Sequence, residues 1–269
     1  MDDLDLDLGQ VVQMFAENQT EPFLIFSVDA STAEGWAKEL GLAVRRCYIS
    51  DESLAEHAAR LDVKQTEIIA SRIPDRGSTM AGDTGEIVTA LFLAARAHPS
   101  RVRDPKKWRL KQDRTKPAPQ SDVVQFLVPQ WPSASDADAL VCAEVKTKST
   151  KSASSPVAKA ITDSKKDQEG RLVKTLQWLR ERSMTEDLGT VDDALIDRFL
   201  KPIEHPPARH DFKAVVVICS TLVEDELKSM TAPLPDKAAL VVISVDQLKD
   251  HYEALYQAVA AATAPESGQ

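Results

Sequence analysis

The sequence predicts an α/β protein, with a central mixed sheet flanked by helices and a smaller α/β lobe at the N-terminus. Three observations carry this expectation. The runs at 122–128, 139–146, 212–219 and 238–245 are almost continuously apolar, as strands covered on both faces require. Amphipathic helical patterns lie between these runs. The 269 residues, 43% hydrophobic, suffice for one large domain or two small ones with a real core.

The elements follow in order. Residues 22–28 (PFLIFSV) read as a strand. Residues 31–40 form a short helix capped by Ser31 or Thr32, with Glu34 in its first turn. Residues 44–49 suit another strand, and Ser50-Asp51 opens a helix carrying Leu54, Ala58 and Leu61. The break at 74–77 (PDRG) separates an N-terminal lobe, 1–78, suited to partner binding, from a larger domain, 79–262. A helix runs from about Asp83 to 98–99 on a stripe of Ile87, Leu91, Ala94 and Ala95. A short strand is expected around 108–110. The strands at 122–128 and 139–146 pair antiparallel across a loop at 129–138. A long helix spans 157–182 with Ile161, Leu172, Leu176 and Leu179 on one face. Strands at 212–219 and 238–245 and a helix at 245–262 complete the domain, and 263–269 is a disordered tail.

The formal net charge is −9, which taken alone argues against a polyanionic partner. Charge position reverses that inference. Residues 96–182 hold 19 Lys and Arg against 10 Asp and Glu, whereas 1–95 hold 7 against 17. The chain is a basic centre between two acidic ends. No apolar run approaches the roughly 20 residues of a membrane span. The acidic start lacks the positive region of a secretory signal, so a cytoplasmic location is expected. Cys47, Cys142 and Cys219 show no CxxC spacing and read as reduced core thiols. There is no GxGxxG or Walker loop. His205 and His210 flank a Pro-rich loop and are assigned no role.

One constellation carries chemistry. Residues two apart in a strand share a face, so Glu144 and Lys146 project together while Val145 points into the core. Antiparallel pairing sets Asp122, at the start of one strand, beside Glu144 near the end of the other. Two close carboxylates repel, and a hard divalent cation with oxygen ligands offsets that repulsion. Mg²⁺ is the usual choice where substrate phosphates complete the shell. Lys146 is placed to orient a water or neutralise charge at a scissile phosphate. Glu86, from the preceding helix, adds a third carboxylate.

Glu86 on a helix, Asp122, Glu144-Val145-Lys146 ending an apolar strand and a long helix after it resemble, in this order, the PD-(D/E)XK nuclease superfamily. The match covers about 80–220, and the proline that often precedes the family's aspartate is Ser121 here. Gly85-Glu86, Ser121-Asp122, 143–146 (AEVK) and 174–179 (KTLQWL) also resemble the HamA effector family of the Hachiman anti-phage system. The resemblance implies a restriction-endonuclease-like core and Mg²⁺-dependent hydrolysis of DNA, with Mn²⁺ as a substitute. It also implies a helicase partner of the HamB kind. Asp122, Glu144 and the Val145 carbonyl would hold the metal, with Glu86 supporting it directly or through water. Glu86, Asp122, Glu144 and Lys146 would be the catalytic set.

Plainer readings stand beside these. Glu144 and Lys146 suit a solvated strand edge, Asp122 a turn, and Glu86 a first-turn helix acid. The basic run containing Lys106, Lys107, Arg109 and Lys111, with Lys148 and Lys151, is either a solvated loop or a sequence-blind grip on phosphates. Gln168 lies on the apolar side of its helix, where a structural role is favoured over a contact with nucleic acid. The alternatives to a deoxyribonuclease are a non-catalytic DNA- or partner-binding subunit of the same fold and an RNA-cleaving toxin.

Overall fold

The computed structural model describes residues 2–228 and 238–265; residues 266–269 of the expected tail lie outside them. In chain order the elements are α1 (Leu8–Gln13), β1 (Ala16–Gln19), β2 (Leu24–Val28), α2 (Ala30–Tyr48), α3 (Asp51–Leu61), α4 (Gln65–Arg72) and α5 (Ser78–Ala97). Then come β3 (Val102–Arg103), β4 (Val123–Leu127), β5 (Ala139–Lys148), α6 (Pro156–Lys166), α7 (Leu172–Ser183) and α8 (Asp193–Leu200). The chain finishes with β6 (Arg209–Cys219), α9 (Val223–Lys228), β7 (Ala238–Val245) and α10 (Leu248–Ala261).

One seven-stranded sheet has the order β1-β2-β7-β6-β5-β4-β3. β2, β7, β6 and β5 are parallel neighbours, and β3, β4 and β5 form an antiparallel meander. This is the predicted mixed sheet flanked by helices, consistent with a restriction-endonuclease-like core. The N-terminal residues share it: β1 and β2 extend the sheet, and α2 packs along α10.

The period-2 alternation of the strands separates two cores. Val141, Ala143 and Val145 of β5 face α5 together with Val215, Val217 and Val241. Leu140 and Cys142 face the opposite way, against Leu172, Leu176 and Leu179 of α7. α6 covers the neighbouring part of that second face through Val157, Ala160 and Ile161. α5 is buried almost all round from Asp83 to Ala95, as the nearly continuous apolar run from Ile87 to Ala95 requires, and Asp83 and Glu86 are buried with it.

Four local expectations are corrected. Residues 44–48 are helical and only Ile49, the C-cap, is extended, because Trp36, Leu40, Val44 and Cys47 prolong the stripe of α2 and are all buried. Buried Arg45 and Arg46 secure that turn by binding the Asp51 carboxylate. Residues Lys107–Leu110 form a 3-10 turn instead of a strand, with Trp108 buried. The long helix breaks at Asp167–Arg171, where Gly170 takes φ 130°, a region open to glycine. α5 starts at Ser78; glycines in its first turns are poor helix formers and conceal that start in the sequence.

Candidate active site

The β4–β5 register sets Val123 opposite Ala143, so Asp122 falls beside Glu144 as the strand pattern predicts. Asp122 Oδ2 accepts a hydrogen bond from the Val145 amide at 2.8 Å. Glu144 and Lys146 share the α6 face of β5 and are ion-paired. Glu144 is buried, and its second oxygen takes the Arg171 guanidinium. Lys146 also reaches Asp163 at 3.3 Å. Burial raises the Glu144 pKa, and the charge of Asp122 adds to the rise against the pull of Lys146 and Arg171. Burial would depress Lys146, but its hydrogen bond to Glu144 and the nearby carboxylates outweigh that and raise its pKa. Lys146 is therefore held as a cation, suited to charge stabilisation.

Glu86 reaches the site because α5 lies close on β5. A Cβ at Gly85 would lie 2.0 Å from Thr147 Oγ1, so only glycine permits this approach. Glu86 is buried and accepts from Trp108 Nε1 at 3.2 Å, with Lys107 Nζ 3.0 Å away. Lys107 also donates to the Ser121 carbonyl at 2.9 Å, which links Glu86 to the segment presenting Asp122. Asp83, the other acid of that helix turn, binds Lys111 and Tyr48 at 2.8 and 2.7 Å and is structural.

Burial pushes the Glu86 carboxyl up to about 8; Lys107 opposes this, and Asp122 and Asp83 reinforce it. A carboxyl raised in the fold loses its contribution to stability as pH rises through the folded pKa. Below its ordinary pKa both states are protonated and Glu86 is neutral to folding. Between about 4.5 and about 8 the unfolded chain ionises first, and stability falls. Glu86→Gln in EDTA is thus expected to gain melting temperature over wild type steadily from pH 5 to pH 8.5. Melts across that range check it; a constant difference contradicts it.

The structure adds residues that strand and helix patterns do not mark. Asp167 is buried and accepts from Arg171 Nε at 2.7 Å and from Ser121 Oγ at 2.6 Å. Ser121 also meets Thr175 Oγ1 at 2.9 Å, so this serine pins the start of β4 immediately before Asp122. Asp163, Asp167 and Arg171 recur every four residues, a spacing that signals one helix face.

The basic run is mostly turned inward. Lys106 is buried against Asp104 and Asp3, Lys107 against Glu86, and Lys111 against Asp83. Arg109 pairs with Asp187 and Asp3, and Lys148 with Glu226. Desolvated and paired, these five side chains are not a phosphate-gripping surface, which corrects that expectation. Lys151 remains exposed. Gln168 is half-buried, with an Nε2 that has no hydrogen-bond partner among the described residues. Cys47 and Cys142 are buried, Cys219 is half-buried, and all three are free thiols.

The donor set fits a hard cation. Two neighbouring carboxylates, with the charge of Asp122 raising the Glu144 pKa, and the carbonyl of Val145 offer oxygen ligands only. Among the described residues no group of three His, Cys, Asp or Glu side chains forms a ready cage. A cation here would complete its shell with water and phosphate oxygens, the habit of Mg²⁺. Among the described residues no helix is long and apolar enough to cross a membrane.

No curated protein matches the chain. A family model described as HamA matches residues 10–259, nearly the whole length. The chain belongs to the HamA family.

Proposed function

We propose that this protein is a Mg²⁺-dependent deoxyribonuclease, the effector of a cytoplasmic anti-phage complex with a helicase partner. Membership of the HamA family supports a role in Hachiman anti-phage defence. The observation that carries the nuclease reading is the convergence of Asp122, Glu144 and Lys146, with the Asp122 carboxylate held by the Val145 amide. Asp122, Glu144 and the Val145 carbonyl would hold Mg²⁺ or Mn²⁺, and Glu86 would support it. The bound ion supplies Lewis-acid polarisation of the phosphate and a lowered pKa for a bound water. Lys146, held as a cation, orients the attacking water and stabilises charge developing on the phosphate. Asp167 steadies Arg171, and Ser121 steadies the approach to Asp122.

One observation favours a second reading, a non-catalytic DNA- or partner-binding subunit of the same fold. Both Glu144 oxygens are already neutralised, by Lys146 and Arg171. Metal titration of the full chain separates the two. The nuclease is expected to degrade plasmid DNA with Mg²⁺ or Mn²⁺, to stop in EDTA, and to melt higher with metal, since a ligand of the folded state stabilises it. No cleavage and no thermal shift at millimolar metal would favour the binding subunit. Degradation of RNA in preference to DNA would identify an RNA-cleaving toxin.

A further inference from the structure

We propose that a groove leading away from Glu86 and Lys146 along α5 seats a single strand of the nucleic-acid substrate, about three nucleotides long. This rests on the nuclease reading and adds to it a substrate-binding site outside the acid–lysine centre. The groove has a volume of about 480 Å³. Glu86 and Lys146 form one end, and Gly77 and Ser78 the other. From Ser78 to Glu86 the helix advances roughly 12 Å at 1.5 Å per residue. A stacked strand advances about 3.4 Å per nucleotide, so that length accommodates about three.

The two walls differ in a way that suits a polyanion. On α5 the wall is Gly77, Ser78, Ala81 and Gly82, which leaves the helix backbone approachable. Across from it stand Ser149 and Lys249, the latter from α10, beside Thr147, whose hydroxyl is buried toward Gly85. Lys148, also in the groove, is spent on Glu226, but Lys249 is exposed and ion-pairs with no described residue. Hydroxyls and an uncommitted ammonium are the donors that sequence-blind phosphate contacts use.

Gly82 is the independent pointer. Glycine weakens a helix interior relative to alanine, so its presence requires a reason. At Gly85 the reason is internal, because an added Cβ would strike Thr147. At Gly82 an added Cβ would meet no atom within 4 Å. Nothing among the described residues accounts for that glycine, whereas a strand lying against the helix backbone does.

The test uses the full chain and a short fluorescein-labelled oligothymidylate, in EDTA at low salt, read by anisotropy. Gly82→Leu, which fills the groove, is expected to weaken binding at least about tenfold, some 1.4 kcal/mol, with no fall in melting temperature. Gly82→Ala is expected to raise the melting temperature by roughly 2–4 °C and still weaken binding. Lys249→Ala is expected to lower the slope of log affinity against log salt by about 0.7, one phosphate contact on a single strand. Should Gly82→Leu melt lower, the other two variants decide. Wild-type affinity and salt slope in Gly82→Ala and Lys249→Ala overturn the groove. If wild type degrades DNA with metal while these variants bind normally, the groove falls and the nuclease stands. If wild type neither cleaves nor binds, the nuclease reading falls and takes the groove with it.

Discussion

A chain carrying Glu144→Ala with Lys146→Ala is expected to lose metal-dependent DNA degradation by roughly 10³-fold or more, a barrier rise of about 4 kcal/mol. It is expected to keep its fold. The double change is gentler on structure than either single one. Removing Glu144 alone would leave Lys146 and Arg171 as neighbouring cations without their shared carboxylate. Removing Lys146 alone would leave Glu144 with Arg171 as its remaining cationic partner. With both gone, Arg171 keeps its bonds to Asp167, and Asp122 keeps the Val145 amide. Plasmid degradation in Mg²⁺ and Mn²⁺, with a thermal melt of the same preparation, checks the outcome. A well-folded double variant that still degrades DNA with metal would remove Glu144 and Lys146 from the mechanism.

The largest effect on stability is expected at a pair remote from this chemistry. Arg198 Nε donates to Asp138 Oδ2 at 2.9 Å, and both side chains are fully buried. Asp138 stands immediately before β5, and its carbonyl accepts from the Arg209 amide at 3.0 Å, where β6 begins. Arg198→Ala leaves a buried carboxylate with only the Ser135 donors. Breaking a buried pair from one side costs about 3–5 kcal/mol, a large share of the roughly 5–15 kcal/mol that holds a domain together. A fall in melting temperature of about 10 °C follows. Arg198→Met with Asp138→Leu is expected to recover most of it, since an apolar pair of similar volume replaces a buried ion pair at little cost. Chemical denaturation of the three variants measures both effects. A loss below about 1 kcal/mol in Arg198→Ala would show that water reaches Asp138.

The legible part of the site is its backbone frame. Period-2 alternation alone assigns Glu144 and Lys146 to one face and Val145 to the other, and the cores on either side of β5 follow it. Antiparallel pairing alone brings Asp122 to Glu144. The partners of those groups were not legible, because they come from through-space meetings that no local pattern records. Arg171 reaches Glu144 from beyond a helix break, and Lys107 reaches Glu86 from a 3-10 turn that reads as a strand. The basic run misleads for the same reason. Its cations look solvated in one dimension, yet most of their counter-charges, Asp3, Asp83, Glu86 and Asp187, come from the acidic flanks, with Asp104 from within the run. Much of the charge asymmetry along the chain is consumed inside the fold, which leaves few of those lysines for a polyanion. Residues 44–49 failed differently: Val44, Cys47, Tyr48 and Ile49 around two arginines suit either period, and packing of α2 on α10 selected the helix.

The strand order has a consequence for synthesis. β7, the last strand of the sheet in chain order, lies between β2 and β6, so it is the keystone of the sheet. β2 leaves the ribosome with one edge unmet, and its partner follows about 210 residues later, a wait of roughly 10–40 s at bacterial elongation rates. During that interval the N-terminal hairpin has no sheet to join, and α2 has no α10 to cover it. A ribosome that stalls before residue 238 therefore releases a chain that cannot close, however complete its acid–lysine centre. The closed sheet is withheld until β7 has been made, a delay that depends only on where the keystone falls in the message.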